Sequence, residues 1–328
     1  MSISPSGLHH VTAIGGNPQR NADFYLRTLG LRLVKTTVNF DDPGTYHLYY
    51  GDGEGKPGSL MTFFPWDGVA NGRLGTGQAT TTSFSVPANS IGWWKQHLEA
   101  AGVQTSRVMT SDEEDTLSFR DPDGLSIALV AHQQPDPRAP WDTPLVPGEH
   151  AIRGLHSVTM TVAEETGTAD TLVDDLGLRF LHQDGDRLRF AAGDGGPGAL
   201  VDVRVDPAAP RGLVAGGTVH HIAWRVPDDA TQLAWREELV GKGYDVTSIL
   251  DRQYFHSIYF REPGGVLQEI ATDDIGFGVD EPLLELGRSL KLPPWLEPKR
   301  KEIQAALPKL DLPDENNPEV AERLAARR

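Results

Sequence analysis

Cysteine is absent from the 328 residues. That excludes disulfides, thiolate metal sites and cysteine nucleophiles, and it sets a reducing, cytoplasmic location as the expectation. No apolar run approaches the roughly 18 residues that a membrane-crossing helix needs, so no membrane partner is expected. The opening segment MSISPSGLHHVTAI lacks the basic stretch and apolar core of an export signal, which points the same way. Positive charge is scarce: 30 Lys and Arg face 46 Asp and Glu, for a formal charge of −16. A chain this acidic is not built to hold a nucleic acid. Its basic clusters, Lys299-Arg300-Lys301 and Arg327-Arg328, both fall in the C-terminal tail. Glycine (35) and proline (24) are plentiful, so turns and short strands are expected rather than a helical bundle.

What the sequence does have is internal repetition. GLHHVT at 7–12 returns as GLHSVT at 154–159, and ADFYLRTLGLRLV at 22–34 returns at the same spacing as ADTLVDDLGLRFL at 169–181. A second pair interleaves with the first. TTTSFSVP (80–87) matches HHIAWRVP (220–227), and LSFRDPDGLSIALV (117–130) matches IYFREPGGVLQEIA (258–271). The chain therefore reads as four βαβββ modules in an α+β fold, with module 1 like 3 and module 2 like 4. In each module an alternating strand precedes an amphipathic helix, with Phe24, Leu26 and Leu29 or Leu233, Trp235 and Leu239 as its apolar face. The Leu-Gly-Leu steps at 29–31 and 176–178 have the form of glycine helix stops. One such module cannot bury both faces of its small sheet, so the modules must pair into two curved sheets around a cleft. Residues 1–140 hold modules 1 and 2, residues 141–272 hold modules 3 and 4, and 273–328 form a tail with one helix expected near 296–307. The proline-rich segment 133–150 reads as a linker. Trp93, Trp94, Trp224 and Trp235 read as core or interface residues.

Because the modules share a register, they can be compared position by position. Where module 1 has His10, module 2 has Thr81, module 3 Ser157 and module 4 His221. Where module 4 has Glu269 on its last strand, module 2 has Ala128, and modules 1 and 3 have Thr62 and Asp202 at about the same place. One metal site is expected, made of His10, His221 and Glu269. Strand alternation turns adjacent side chains to opposite faces, so His9 and His220 are expected to point away from the ligands' side, with His156 in their register. Taken singly, a strand histidine is more often a packed, hydrogen-bonded residue than a ligand. Two at equivalent positions, with a carboxylate where module 2 has alanine, outweigh that reading. Two imidazoles and a carboxylate form a facial triad suited to Fe(II), with Mn(II) fitting the same geometry; zinc would fit but has no redox chemistry.

At these residues the chain resembles the vicinal-oxygen-chelate superfamily of glyoxalases, bleomycin-resistance proteins and extradiol dioxygenases. Its ordered segments are YHLYYGD (46–52), LHSVT (155–159), VHHIAWRVP (219–227) and YFHSIYFREPGGVLQEIATDDIGFGVDE (254–281). These resemble the hydroquinone and chlorohydroquinone 1,2-dioxygenase branch over roughly residues 7–290. The resemblance implies an extradiol-type oxidoreductase that opens a hydroquinone- or catechol-like diol with O2, using metal ligands from modules 1 and 4. It implies that Tyr259 is the active-site tyrosine, donating to substrate, and that Arg252 corresponds to a substrate-facing arginine. His9, Thr12 and His220 lie beside the ligands, and His9 or His220 is a candidate to take the substrate proton. Two other readings stay open: a glyoxalase-like isomerase or lyase on Zn(II) or Ni(II), and a non-catalytic protein that sequesters an aromatic compound. The first usually needs a further carboxylate, where module 1 offers Thr62; the second needs no triad. A homo-oligomer is compatible with the sequence.

Overall fold

The computed structural model describes residues 4–109, 112 and 114–312; the end of the tail, with Arg327-Arg328, lies outside the described residues. Module 1 runs β1 (Leu8–Gly15), α1 (Pro18–Asp23), β2 (Arg32–Asn39), β3 (Asp42–Gly51) and β4 (Leu60–Pro65). Module 2 is β5 (Gln78–Val86), α2 (Ile91–Ala100), β6 (Ser106–Met109), β7 (Asp115–Arg120) and β8 (Ser126–Ala131). Module 3 is β9 (Gly154–Val162), α3 (Thr166–Asp170), β10 (Arg179–Asp184), β11 (Arg187–Ala191) and β12 (Leu200–Val205). Module 4 is β13 (Thr218–Val226), α4 (Asp229–Gly241), β14 (Leu250–Asp251), β15 (His256–Arg261) and β16 (Leu267–Thr272). The expected βαβββ order holds in all four.

Local chemistry sets the helices. Asn17 caps α1 by accepting from the Arg20 N–H, and Pro18 opens the helix with its φ already helical. The chain then widens into a π-helical turn, Phe24–Thr28, matched in module 3 by Thr171–Asp175. Both turns stop at a glycine with φ near +67°, Gly30 and Gly177, a conformation that an L side chain resists. In α4 the buried stripe is Gln232, Trp235 and Leu239, whereas Leu233, expected on the apolar face, is 44% exposed. The reason is a polar residue with work inside: the Gln232 amide donates to the carbonyls of His256 and Ile270 at 2.8 and 2.7 Å and ties the helix to the sheet. Trp94, Trp224 and Trp235 are fully buried, as a core role requires.

The sheets pair the modules crosswise. One has the order β14-β15-β16-β13-β1-β4-β3-β2 and joins module 4 to module 1; the other, β10-β11-β12-β9-β5-β8-β7-β6, joins module 3 to module 2. Each sheet thus takes one module from either side of the 133–150 segment, which carries no helix or strand. No described helix is long and apolar enough to cross a membrane.

After β16 the chain runs back along the β2 edge. The Lys291 N–H donates to the Thr36 carbonyl, and Leu292, Leu296 and Ile303 pack on Val38. The expected tail helix is a 3-10 turn, Glu297–Lys299, leading into α5 (Arg300–Ala306). This covers an edge that would otherwise expose unpaired backbone. The Lys35 ammonium, fully buried on β2, anchors the segment. It bonds Asp280 at 2.6 Å and Glu281 at 2.5 Å and sits 4.8 Å over the Tyr254 ring. Lys35→Met leaves buried Glu281 with only Lys291, 3.9 Å away, so thermal or denaturant unfolding should register a loss of about 3 kcal/mol. Unchanged stability would show that the tail is held by its apolar contacts alone.

Candidate metal centre

The opening strands of modules 1 and 4, β1 and β13, are antiparallel neighbours, and each carries a bulge. On β1 the pairing steps from Leu8↔Trp224 to His10↔Ala223, which leaves His9 over; on β13 it steps from Thr12↔His221 to Ala13↔Val219, which leaves His220 over. A bulge re-aims the unpaired side chain, and this overrides simple alternation. The expectation that His9 and His220 turn away from the ligands is corrected on this ground. His9 Nδ1 lies 2.9 Å from His10 Nδ1, and His220 Nδ1 lies 2.8 Å from His221 Nδ1. The other sheet has the same two bulges, at Thr80 and His156.

With Nδ1 of each histidine engaged by its neighbour, Nε2 of both turns inward. His10 Nε2 and His221 Nε2 are 3.2 Å apart, and Glu269 Oε2 lies 3.2 and 2.8 Å from them. Glu269 stands on β16, which runs parallel to β13 with Ala223 opposite it, so three adjacent strands supply the three groups. All three are buried, Glu269 completely. Ser257 Oγ donates to Glu269 Oε1 and holds the carboxylate in place. Oε2 has no hydrogen bond of acceptable geometry despite its two close nitrogens. A buried acceptor in that condition needs a partner, and a cation is the partner that three converging lone pairs would satisfy.

Electrostatics agree with that fit. Burial holds the His221 imidazole below its ordinary value, so it is neutral near pH 7. Burial opposes ionisation of Glu269, but His10 and His221 beside it hold its carboxyl well below the usual range. Neutral imidazoles and one carboxylate are the donors a divalent ion takes. Among the described residues this is the one group of three or more such side chains close enough to share an ion.

The position-by-position comparison of the modules is realised in the strand pairing. Glu269↔Ala223, Ala128↔Ser83, Thr62↔Thr12 and Asp202↔Thr159 are four equivalent pairs, each two residues beyond the opening-strand ligand position. In the second sheet Thr81, Ser157 and Ala128 offer no imidazole or carboxylate there. The Asp202 acid is taken up by Arg189 at 2.8 Å and Arg187 at 2.6 Å. His156 contacts Ser157 and Glu114.

Above the triad lies a cavity of about 340 Å³ lined by His10, His47, Tyr49, Phe64, Trp66, His220, His221, Arg252, Phe255 and Tyr259, among others. Three larger hollows, of about 490, 540 and 710 Å³, contain no part of the triad. Tyr259, paired with Glu269 across β15 and β16, sets its ring edge-on to His221 with centroids 5.5 Å apart. Burial, then the Glu269 charge, raises its phenol above the ordinary value. The Arg252 guanidinium lies 5.4 Å from the Tyr259 ring centroid. His220 reaches the cavity, and burial with His221 next to it pushes its imidazole down to about 3. His9 does not line the cavity: it is wedged behind His10 against Phe255, at 5.0 Å between centroids. Thr12 also sits behind, its hydroxyl 2.7 Å from that of Thr62. His47 was not singled out by the sequence reasoning. It lines the cavity from β3 with Nε2 3.0 Å from Thr62 Oγ1 and Nδ1 2.9 Å from the Tyr49 hydroxyl. Its one signal is a polar residue in the strongly aromatic strand YHLYY, and module 3 has Arg187 in the corresponding place.

Residues 7–129 and 154–270 match the Glyoxalase/Bleomycin resistance protein/Dioxygenase superfamily, and the chain belongs to it. Within that superfamily it is 44% identical over 308 residues to the Bacillus subtilis protein named "Putative ring-cleaving dioxygenase MhqO", covering 94% of this chain and 97% of that one. It is 37% identical to the "Chlorohydroquinone/hydroquinone 1,2-dioxygenase" of Sphingobium indicum, over 90% of this chain and 94% of that one. A crystal structure titled as a "putative dioxygenase" from Bacillus subtilis superposes with a TM-score of 0.91 at 42% identity, covering 95% and 99% of the two chains. Glyoxalase I from Zea mays shares the fold at 14% identity, with a TM-score of 0.63 over 81% of this chain and 92% of that one.

Anaerobic titration with Mn(II) tests the donor set. Glu269→Ala should weaken binding at least about 100-fold, and His9→Ala about 10-fold, because loss of a group that orients a ligand costs less than loss of the ligand. Stoichiometric, equally tight binding by Glu269→Ala would remove this cluster as a metal site.

Proposed function

We propose that this chain is a non-haem, metal-dependent ring-cleaving dioxygenase that opens a hydroquinone- or catechol-like aromatic diol with O2. His10, His221 and Glu269 hold the ion, with Fe(II) as the native metal and Mn(II) able to serve. The observation that carries the reading is the convergence of two Nε2 atoms and one unpartnered carboxylate oxygen at the floor of an aromatic-walled cavity. The names of the relatives that match nearly the whole chain support the reaction type. The cavity volume of about 340 Å³ is at the low end for ligand pockets and suits a single ring. Held by His10, His221 and Glu269, a redox-active ion would supply a site for diol and O2 and a route for electrons from ring to oxygen.

The chain's own groups divide the remaining work. Tyr259 keeps its proton, because burial and Glu269 oppose a phenolate, and donates to an oxygen of substrate or O2. His220 is neutral; its Nδ1 accepts from the Nδ1–H of His221, which leaves its Nε2–H to donate a hydrogen bond to an oxygen of substrate. Arg252 stabilises the negative charge that develops when the diol ionises. His9 acts through His10: it fixes the ring of the ligand and does not meet substrate. Phe64, Trp66 and Phe255 give the ring apolar surfaces.

Two observations weigh against the alternatives. An isomerase of the glyoxalase kind usually adds a carboxylate, and the place open to it in module 1 is Thr62, whose hydroxyl is taken by Thr12 and His47. A sequestering protein has no use for a buried, ionised glutamate set between two histidines, which would only cost stability.

The deciding experiment loads the protein anaerobically with Fe(II) or Mn(II), then measures oxygen uptake and loss of ring absorbance with hydroquinone and catechol. Stoichiometric uptake with ring opening is expected for at least one diol. Metal binding without uptake on either would overturn the dioxygenase reading. Tyr259→Phe should keep its metal and lose turnover about 100-fold or more; full activity would remove that residue from the proton chemistry.

A further inference from the structure

In the sheet that carries the triad, β2 and β14 are the two outermost strands. The sheet curves around the cavity, so its far edges come back towards each other over the mouth. From the module 1 side comes the tip of the β2–β3 hairpin, Phe40-Asp41; from the module 4 side comes Arg252-Gln253, just beyond β14. The two tips meet as an ion pair, Arg252 Nη2 to Asp41 Oδ2 at 3.1 Å. Both residues line the cavity.

Each tip is held independently. The Asp41 N–H donates to Asn39 Oδ1, and the Phe40 ring stands edge-on against Trp295 of the tail at 5.7 Å. On the other side the Arg252 N–H donates to the Phe255 carbonyl, and Gln253 turns the chain at φ +68° with its N–H on Asp251 Oδ1. The fold therefore sets the pairing distance. The two side chains differ in exposure: 18% for Arg252 and 72% for Asp41. The cation faces inward to Tyr259, and the anion faces solvent.

We propose that Asp41 is a charge-selecting residue at the mouth of the cleft, which occupies Arg252 and so favours uncharged aromatic diols over diols that bear a ring carboxylate. The inference rests on the aromatic-diol reading of the site and adds the substrate feature that the mouth discriminates. A carboxylated ring meets the Asp41 charge on approach and must compete with it for Arg252. Without Asp41 the same guanidinium becomes an open carboxylate site, since its planar fork matches that group. The pair is partly exposed, so the effect is modest and shrinks with salt.

The test uses binding, so it does not depend on turnover. Metal-loaded protein is titrated anaerobically with hydroquinone and with 2,5-dihydroxybenzoate, in the native chain, Asp41→Asn and Asp41→Glu. Asp41→Asn should shift the ratio of the two dissociation constants about five-fold towards the carboxylate at low salt, and less at high salt. Asp41→Glu should keep the native ratio. An unmoved ratio in Asp41→Asn, or an equal shift in Asp41→Glu, overturns the assignment. If the ratio moves but no variant consumes oxygen, the dioxygenase reading fails and the selecting role stands. If oxygen is consumed and the ratio stays put, the selecting role alone fails. Binding of neither compound by any variant overturns both.

Discussion

The pairing of β1 with β13, and the two bulges within it, is the constraint on which the site depends. Straight antiparallel pairing would leave each ligand histidine alone on its face, with its predecessor on the other side. Two one-residue bulges, symmetrically placed, bring His9 Nδ1 onto His10 and His220 Nδ1 onto His221. That contact chooses Nε2 as the inward nitrogen of both candidate ligands and stiffens rings that would otherwise rotate. Glu269 is then positioned by the neighbouring parallel strand and by the Ser257 hydroxyl. Three donors within 4.8 Å of one another, all buried, are the outcome of backbone pairing rather than of local sequence.

The second sheet shows what the same backbone does without the ligands. Its bulges and pairings are equivalent, yet the acid on its last strand is neutralised by two arginines and its opening strands carry threonine and serine. The repeat supplies two sheets of like pairing, and the side chains on them make a His-His-Glu cluster in one and an ion-pair network in the other. The tail adds a further asymmetry. It covers β2, packs beside Phe40 through Trp295, and is latched by Lys35, so that one edge of the sheet carrying the triad is fixed in place.

Much of this was legible in the residues. Repeats with a shared register gave four βαβββ modules and the choice of His10, His221 and Glu269, because equivalent positions in a repeat occupy equivalent places in space. The strand pairing shows Ala128, Thr62 and Asp202 in the place of Glu269. The helix stops at Gly30 and Gly177 were legible for a similar reason: only local backbone sterics are involved. What was misjudged involved partners distant along the chain. Leu233 belonged to the helical periodicity but not to the core, since Gln232 had two carbonyls to satisfy on the sheet. His47 carries one faint local mark, a polar residue in an aromatic strand, and only the tertiary structure shows that it lines the cavity.

The order of modules, the equivalence of positions and the identity of three candidate ligands followed from the sequence by itself, because repetition converts linear spacing into spatial correspondence. Tertiary structure decided which modules share a sheet, that bulges turn His9 and His220 towards their neighbours, and that the far edges of one sheet meet through Asp41 and Arg252. These are contacts between residues far apart along the chain, set by curvature and pairing register, and no local pattern encodes them.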